Sequence, residues 1–235
     1  MNIVEIYSHH VLLDRITTGG TVLDLGFGRG LFSRALTAFV PVNIVGVEAN
    51  PGLYPPEGLP PGMNVVNRAV VPDGTQGDTV DLFVGKNSEA SSVINRGRTV
   101  LPASIQVPVL SFADALASCH VPVVELVKMD IEGAEVEILR QARVSDLQRV
   151  KQITIEFHDF LGLHTKREIR RVLRRLSDAE FVVVKFPTLS YSDVLCLNVN
   201  LLGFSLLERW QAKYVIRSSV RLKNLFGRLG RRRSR

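Results

Sequence analysis

The sequence predicts an α/β domain, doubly wound, with a seven-stranded mostly parallel sheet and helices on both faces. Three observations carry that prediction. Apolar, β-branched runs recur along the chain, at residues 22–25, 42–47, 121–129 and 150–157 among others. Amphipathic segments separate them, as at 31–39 and 165–176. The run at 121–129 is nearly all apolar, as a strand covered on both faces should be. Strands alternating with helices in this way build parallel βαβ units. A chain of 235 residues holds one such domain and is short for two.

In chain order, Ile3, Ile6, Tyr7, Val11 and Leu13 stand loosely at helical intervals before Gly19-Gly20, so a leading helix over 3–16 is expected. The first strand at 22–25 runs into the glycines at 26, 28 and 30, the helix at 31–39 and the second strand at 42–47. Residues 50–62 are rich in proline and glycine and read as a loop. A third strand is expected over 64–71, and additional strands over 80–84 and 105–110. The polar stretch 85–97 between those two contains Asn87, Ser88, Glu89, Ser91, Ser92 and Asn95. It reads either as a lid on the substrate side or as an uninvolved loop. A short helix at 111–117, the fourth strand at 121–129, a helix to Gln141 and the fifth strand at 150–157 follow. Thr165 opens a helix through a capping box closed by Glu168. Ile169, Val172, Leu173 and Leu176 are its buried stripe, opposite a face of Lys166 and five arginines. Residues 181–185 and 194–198 supply the last two strands.

The glycine turn carries the first chemical signal. Asp24-Leu25-Gly26-Phe27-Gly28-Arg29-Gly30 places bare backbone between a strand and a helix, where a ligand can lie close. The spacing is not the dinucleotide Gly-x-Gly-x-x-Gly, because Leu31 stands where that pattern needs glycine. No Gly-Lys-Ser/Thr follows, so this is not a nucleoside-triphosphate loop. Asp24 suits a ligand with an ammonium group better than a pyrophosphate. Glu48 ends the second strand 18 residues after Gly30, where a doubly wound fold places the acceptor of ribose hydroxyls. The turn alone also fits a purely structural role in tightening strand–helix packing. With Glu48, it resembles the cofactor half of S-adenosylmethionine-dependent methyltransferases of the Rossmann-like, class I methyltransferase fold. That resemblance implies S-adenosyl-L-methionine as cofactor, held by Asp24, Gly26, Gly28, Gly30 and Glu48.

The block Lys128-Met129-Asp130-Ile131-Glu132-Gly133-Ala134-Glu135 is more specific. It resembles the signature of the FkbM-type methyltransferases. Asn67-x-Ala69-Val70, Val107-Pro108-Val109 before a short helix with Asp114, and Glu156-x-His158 follow the same family order. The resemblance spans roughly residues 20–200, with a methyltransferase domain over 1–200 and a basic amphipathic tail over 201–235. One departure is Arg29, where the family usually has a small or polar residue. The resemblance implies transfer of methyl to a hydroxyl of a sugar, glycan, glycolipid or natural product, with Asn67, Ala69 and Asp130 beside the cofactor.

Methyl transfer to oxygen needs alignment above all, and a base that removes the hydroxyl proton. Asp130 ends the fourth strand and His158 the fifth, so both face the ligand edge of the sheet. His158 has the natural pKa of a base near neutrality, against a role bonded to Asp159 or capping the strand end. Asp130 orients the acceptor or the cofactor, alongside a helix N-cap role. Glu132 reads as part of the next helix's first turn, where the dipole favours an acid in any case. Asp130, Glu132 and His158 are therefore the candidate catalytic residues. Asp130 and Glu132 offer two oxygens to a divalent cation, a weak site, so no metal is assigned.

Charge is divided unevenly. Residues 209–235 hold ten lysines and arginines and no acid, so the net +6 becomes −4 over residues 1–208, with 19 basic and 23 acidic groups. Leu206, Leu207, Trp210 and Tyr214, then Leu222, Leu225, Phe226 and Leu229, put apolar anchors among the basic residues. A peripheral contact with anionic membrane, packing on the domain, and nonspecific contact with nucleic acid are the three readings of the tail. Cys119 and Cys196 lack metal-like spacing and read as buried free thiols. Residues 1–7 carry Glu5 and no long apolar run, and no stretch reaches the roughly 20 apolar residues of a bilayer span. A cytoplasmic protein is expected. An RNA methyltransferase and a noncatalytic nucleoside-binding module are the alternatives. Base methylation is disfavoured by the absence of an Asn/Asp-Pro-Pro-Tyr/Phe motif.

Overall fold

The computed structural model describes residues 1–55, 58–84, 92–93, 104–159, 162–186 and 191–212. The elements run β1 (Ile3–Ile6), β2 (His9–Leu12), β3 (Thr21–Leu25), α1 (Leu31–Phe39), β4 (Asn43–Glu48), β5 (Met63–Asn67), β6 (Ala69–Val71), β7 (Thr79–Phe83) and β8 (Ser104–Ser111). They continue with α2 (Phe112–Ala117), β9 (Leu126–Met129), α3 (Glu135–Gln141), α4 (Val144–Leu147), β10 (Gln152–Ile155), α5 (Lys166–Asp178), β11 (Phe181–Lys185), β12 (Val194–Asn198) and α6 (Leu206–Trp210).

A seven-stranded sheet in the order β11-β12-β10-β9-β3-β4-β5 forms the centre. The pairs from β10 to β5 are parallel, and β12 runs antiparallel to both β10 and β11. This is the Rossmann-like class I methyltransferase fold expected from the sequence. Side chains of β3 alternate between its faces. Leu23 and Leu25 join the core under α2, α3 and α5, while Val22 joins the core under α1 and the β1–β2 hairpin. Asp24 shares the face of Val22, two residues away. Burial of the apolar stripe Ile169, Val172, Leu173 and Leu176 holds α5 to the sheet, and its Thr165–Glu168 capping box is complete. Both cysteines are buried and free, as expected.

Residues 3–16 depart from the sequence expectation. They form no α-helix but a β-hairpin, closed by the pair Ile6↔His9, with only Leu13–Arg15 in a 3₁₀ turn. Tyr7 and Ser8 both have positive φ, 44° and 67°, the conformation a two-residue hairpin turn requires. The β-branched Ile3, Val4, Ile6 and Val11 favour strands, and their loose spacing satisfies either period. What fixes the hairpin is tertiary. The buried Gln152 side chain of β10 accepts from the Leu12 N–H at 2.9 Å and donates to the Leu12 carbonyl at 3.0 Å.

The expected third strand breaks at Arg68. Its first half, β5, edges the large sheet, and its second, β6, joins a separate three-stranded sheet β6-β8-β7 that contains the two additional strands. The Arg68 N–H turns to the Glu48 carbonyl at 3.0 Å, so the chain leaves one sheet for the other beside the end of β4. The fourth strand is shorter than expected, beginning at Leu126 after an isolated bridge between Val124 and Val150. The fifth stops at Ile155, so Glu156 and His158 extend just past the sheet edge. Of the polar stretch 85–97 only Ser92 and Val93 lie within the described residues. Of the basic tail, α6 is described, with Leu206, Leu207 and Trp210 exposed, and residues 213–235 lie outside. Among the described residues no helix is long and apolar enough to cross a membrane.

Candidate active site

A cleft opens at the carboxyl ends of β3, β4 and β9, where ligands of open α/β sheets bind. The glycine turn forms its floor. Gly26 and Phe27 both donate their N–H to the Val47 carbonyl at 3.0 Å, locking the turn against β4. Gly26 has φ 79°, and a Cβ there would come within 1.8 Å of the Asp130 carbonyl oxygen. At Gly30, φ 71°, a Cβ would lie 2.4 Å from the Phe27 ring. Both positions therefore demand glycine through close approach as well as backbone conformation. Gly26 and Gly28 line the cleft, with Arg29 at its rim, and Gly30 stands behind them under Phe27.

Glu48 forms one wall. Its Oε2 accepts the Gly28 N–H and its Oε1 the Asn50 N–H, both at 2.7 Å. Each oxygen keeps a further lone pair, which two neighbouring hydroxyls can use. Burial pushes this carboxyl up, and the two backbone N–H groups work in the opposite direction. Val47, Leu53, Ala69 and Val70 add an apolar slot beside it. Asn67 does not line the slot. Its Nδ2 donates to the carbonyls of Glu48 and Ala49 at 2.8 and 3.1 Å, so it holds the end of β4 from behind.

Asp24 is also placed away from the cleft. It is fully buried, accepts from Ser33 Oγ at 2.6 Å, and stands 3.3 Å from Lys128 Nζ. The ammonium that Asp24 meets is the chain's own. Lys128 in turn donates to the Gly26 carbonyl at 2.6 Å and lies 3.5 Å from Asp130 Oδ2. Burial works against its charge but is outweighed by Asp24 and Asp130, so Lys128 stays above its ordinary value.

The opposite end of the cleft is crowded with titratable groups. Asp130 has His158 Nε2 3.6 Å from Oδ1 and His9 Nε2 3.7 Å from Oδ2. His158 Nε2 is also 3.6 Å from Glu132 Oε2, while its Nδ1 meets Glu135 Oε1 at 3.0 Å. Glu135 is fully buried, and the same oxygen accepts the N–H groups of Ile131 and Gly133. The helix α3 starts at Glu135 with Ala134 as its N-cap residue. Asp130 is thus not the cap, and Glu132 is not in the first turn: it precedes the helix in a left-handed conformation, φ 58°. Nor does His158 turn to Asp159, whose Oδ1 instead accepts the Tyr191 N–H. Of the residues expected to hold the acceptor, the fold brings all three, Asp130, Glu132 and His158, together.

The cluster's electrostatics follow from its density. For Asp130, burial is outweighed by Lys128, then His9 and His158, and its carboxyl lies well below the usual range. For His158, burial is outweighed by Glu135, Glu132 and Asp130, which hold the imidazole up to about 9. Burial, aided by Asp130 and Glu132, pushes Glu156 up to about 7.

The profile of the methyltransferase FkbM domain matches residues 41–183. The chain belongs to the FkbM methyltransferase family. That family is one of S-adenosylmethionine-dependent methyltransferases. Among curated proteins none matches the sequence. Among solved structures, a methyltransferase FkbM from Methylobacillus flagellatus KT is 12% identical, with 76% of this chain and 43% of that one covered at a TM-score of 0.47. The chain therefore spans less than half of that relative's length. A precorrin-6y C5,15-methyltransferase from Geobacter metallireducens GS-15 is 12% identical, covering 79% and 85% at 0.40. An rRNA methylase described from Clostridium thermocellum is 11% identical, covering 79% and 88% at 0.44.

The cleft fits the cofactor of that family on three counts. A buried carboxylate with spare lone pairs suits a ribose diol, the slot of Val47, Leu53, Ala69 and Val70 suits a purine ring, and Lys128 and Asp130 offer opposite charges to an amino-acid end. Sequence reasoning missed His9, Lys128, Glu135 and Glu156. Lys128 and Glu135 belong to the family block but reveal their partners only in space. His9 was hidden by the helical reading of residues 3–16, although a histidine in a β-branched run was a visible signal.

One consequence concerns Glu156. Below pH 4.5 both folded and unfolded chains hold its proton; between 4.5 and about 7 the unfolded chain ionises first, so stability falls as pH rises through that window. Screening of this partly exposed group trims the cost to about 1 kcal/mol. Glu156→Gln is expected to raise Tm by roughly 2–4 °C at pH 8 and by less at pH 5, measured calorimetrically on the chelator-treated protein. An equal shift at both values would show that the carboxyl is not raised.

Proposed function

We propose that this FkbM methyltransferase methylates a hydroxyl oxygen of a polyhydroxylated acceptor, such as a sugar, a glycan or a hydroxylated natural product. S-adenosylmethionine, when bound, supplies a methyl group on a cationic sulfur that an oxygen nucleophile displaces in line. Glu48 and Asp130 stand on either side of the glycine turn, since β4 and β9 flank β3. A nucleoside held by Glu48 thus leaves its reactive end toward Asp130.

The observation that carries the proposal is His9. Its Nε2 is buried, lines the cleft beside Asp130 and has no hydrogen-bond partner among the described residues. A buried imidazole nitrogen without a partner is costly. An acceptor hydroxyl placed there removes that cost and gives up its proton to Nε2. His9 is better placed for that role than His158, which lies behind Glu132 and Asp130 and does not line the cleft. Asp130 orients the hydroxyl, and the surrounding carboxylates accept from neighbouring hydroxyls of a polyol.

The test is direct. Methyl-labelled cofactor and a panel of sugars, glycans and hydroxylated natural products are incubated with the protein, and products are assigned by mass spectrometry and NMR. An O-methyl product is expected, with His9→Ala slowing its formation by about 10²-fold while cofactor affinity is retained. A product methylated on nitrogen, carbon or RNA would sink the proposal.

A further inference from the structure

Two imidazoles face Asp130 with the same ring nitrogen, and each is held from behind by the other. His158 Nδ1 is tied to Glu135 at 3.0 Å, His9 Nδ1 to Thr154 Oγ1 at 3.3 Å. Their Nε2 atoms stop 3.6 and 3.7 Å from the Asp130 oxygens, and Glu132 Oε2 lies 3.6 Å from His158 Nε2. Charge-assisted hydrogen bonds close to about 2.7–2.9 Å, and these contacts stand wider than that. With metal–ligand bonds of about 2.0–2.2 Å, neighbouring ligand atoms stand roughly 3.0–3.6 Å apart. One atom each from Asp130, Glu132 and His158 lies within 4.8 Å of the other two.

We propose that Asp130, Glu132 and His158 hold a divalent transition-metal cation. From sequence, Asp130 and Glu132 offered two oxygens and too little to assign a metal; the fold adds the Nε2 of His158. Glu135 behind that ring is the outer carboxylate that orients a ligating histidine and sets its tautomer. Its place is fixed by the Ile131 and Gly133 N–H groups, on the same turn that delivers Glu132. A second, independent feature points to an occupant: His9 Nε2, in a residue 1% exposed and without a hydrogen-bond partner among the described residues, is aimed at the same carboxylate. A coordinated hydroxyl or water beside Asp130 satisfies it.

The mixed nitrogen and oxygen set favours manganese, iron, cobalt, nickel or zinc over magnesium and calcium, which prefer oxygen alone. Three protein ligands leave positions open, which two vicinal hydroxyls of a polyol can fill as a chelate. Coordination lowers the pKa of the hydroxyl, and the proton passes to His9 Nε2. This role for the ion rests on the transfer to oxygen proposed above, whereas its binding does not.

Manganese(II) alone is titrated into the full-length, chelator-stripped protein without cofactor or acceptor, and free ion is followed by electron paramagnetic resonance. One ion per chain is expected. His158→Ala and Glu132→Gln should each weaken binding at least about tenfold, while Glu137→Gln, on the outer side of α3, leaves it unchanged. Glu132 is the less buried position, so Glu132→Gln covers the case in which His158→Ala does not fold, as judged by circular dichroism. Absence of saturable binding to the folded chain overturns the proposal. So does binding indifferent to both variants, or binding lost in His9→Ala and Glu156→Gln instead, since His9, Asp130 and Glu156 form the neighbouring triad. Calorimetry with S-adenosylmethionine separates the two readings: intact cofactor binding without metal leaves methyl transfer standing.

Discussion

Lys128→Met is expected to destabilise the protein by about 3–5 kcal/mol, the cost of leaving a buried charge without its partner. Lys128 is 4% exposed and Asp24 fully buried. Without the ammonium, Asp24 keeps one hydrogen bond, from Ser33 Oγ, and its buried Oδ1 has no hydrogen-bond partner among the described residues. The Gly26 carbonyl loses its donor, and Asp130 loses the cation that holds its carboxyl low. For a domain of this size the loss corresponds to a fall in Tm of roughly 6–20 °C. Chemical unfolding of the two proteins checks it. The double variant Asp24→Asn/Lys128→Met should recover much of the loss, because removing both partners spares the unpaired charge. A single-variant loss below about 1 kcal/mol would mean that water reaches the pair.

Glu48→Ala is expected to weaken S-adenosylmethionine binding by about 10²- to 10³-fold. Two hydrogen bonds to a charged acceptor, each contributing roughly 1.5–3 kcal/mol, set that range when part of the loss is regained by water. The carboxylate also accepts the Gly28 and Asn50 N–H groups, so its removal loosens the glycine turn it is meant to support. Glu48→Gln, which keeps the shape and one acceptor oxygen, should fall between wild type and alanine. Titration calorimetry on all three, with circular dichroism as a check on folding, reads the effect. Wild-type affinity in Glu48→Ala would remove this residue from the cofactor site.

Much of the framework was legible because its causes are local. The turn from Gly26 to Gly30, the helix α1 and the capped, amphipathic α5 are each written in neighbouring residues. Glu48 was legible for a different reason: in a parallel sheet the distance from glycine turn to second strand end is set by one helix and one strand. The hairpin of residues 3–12 was not, since its apolar spacing fits both periods and Gln152, far along the chain, decides between them. The same is true of Asp24. Its place before the glycines suggested a ligand contact, and only the neighbouring strand β9 shows that Lys128 occupies it.

By itself, then, the sequence determined the class of fold, the family block at residues 128–135 and the set of acids from which a site could be built. The tertiary structure decided which of those acids face one another. It folded Asn67 and Asp24 behind the cleft, swung Glu132 out of the helix through a left-handed residue, and brought His9 from the N-terminal hairpin against Asp130. The physical reason is reach. Propensity and periodicity act over a few residues, whereas the contacts of His9 with Thr154 and of Lys128 with Gly26 join positions more than a hundred residues apart, and their strength depends on burial that only the complete fold creates.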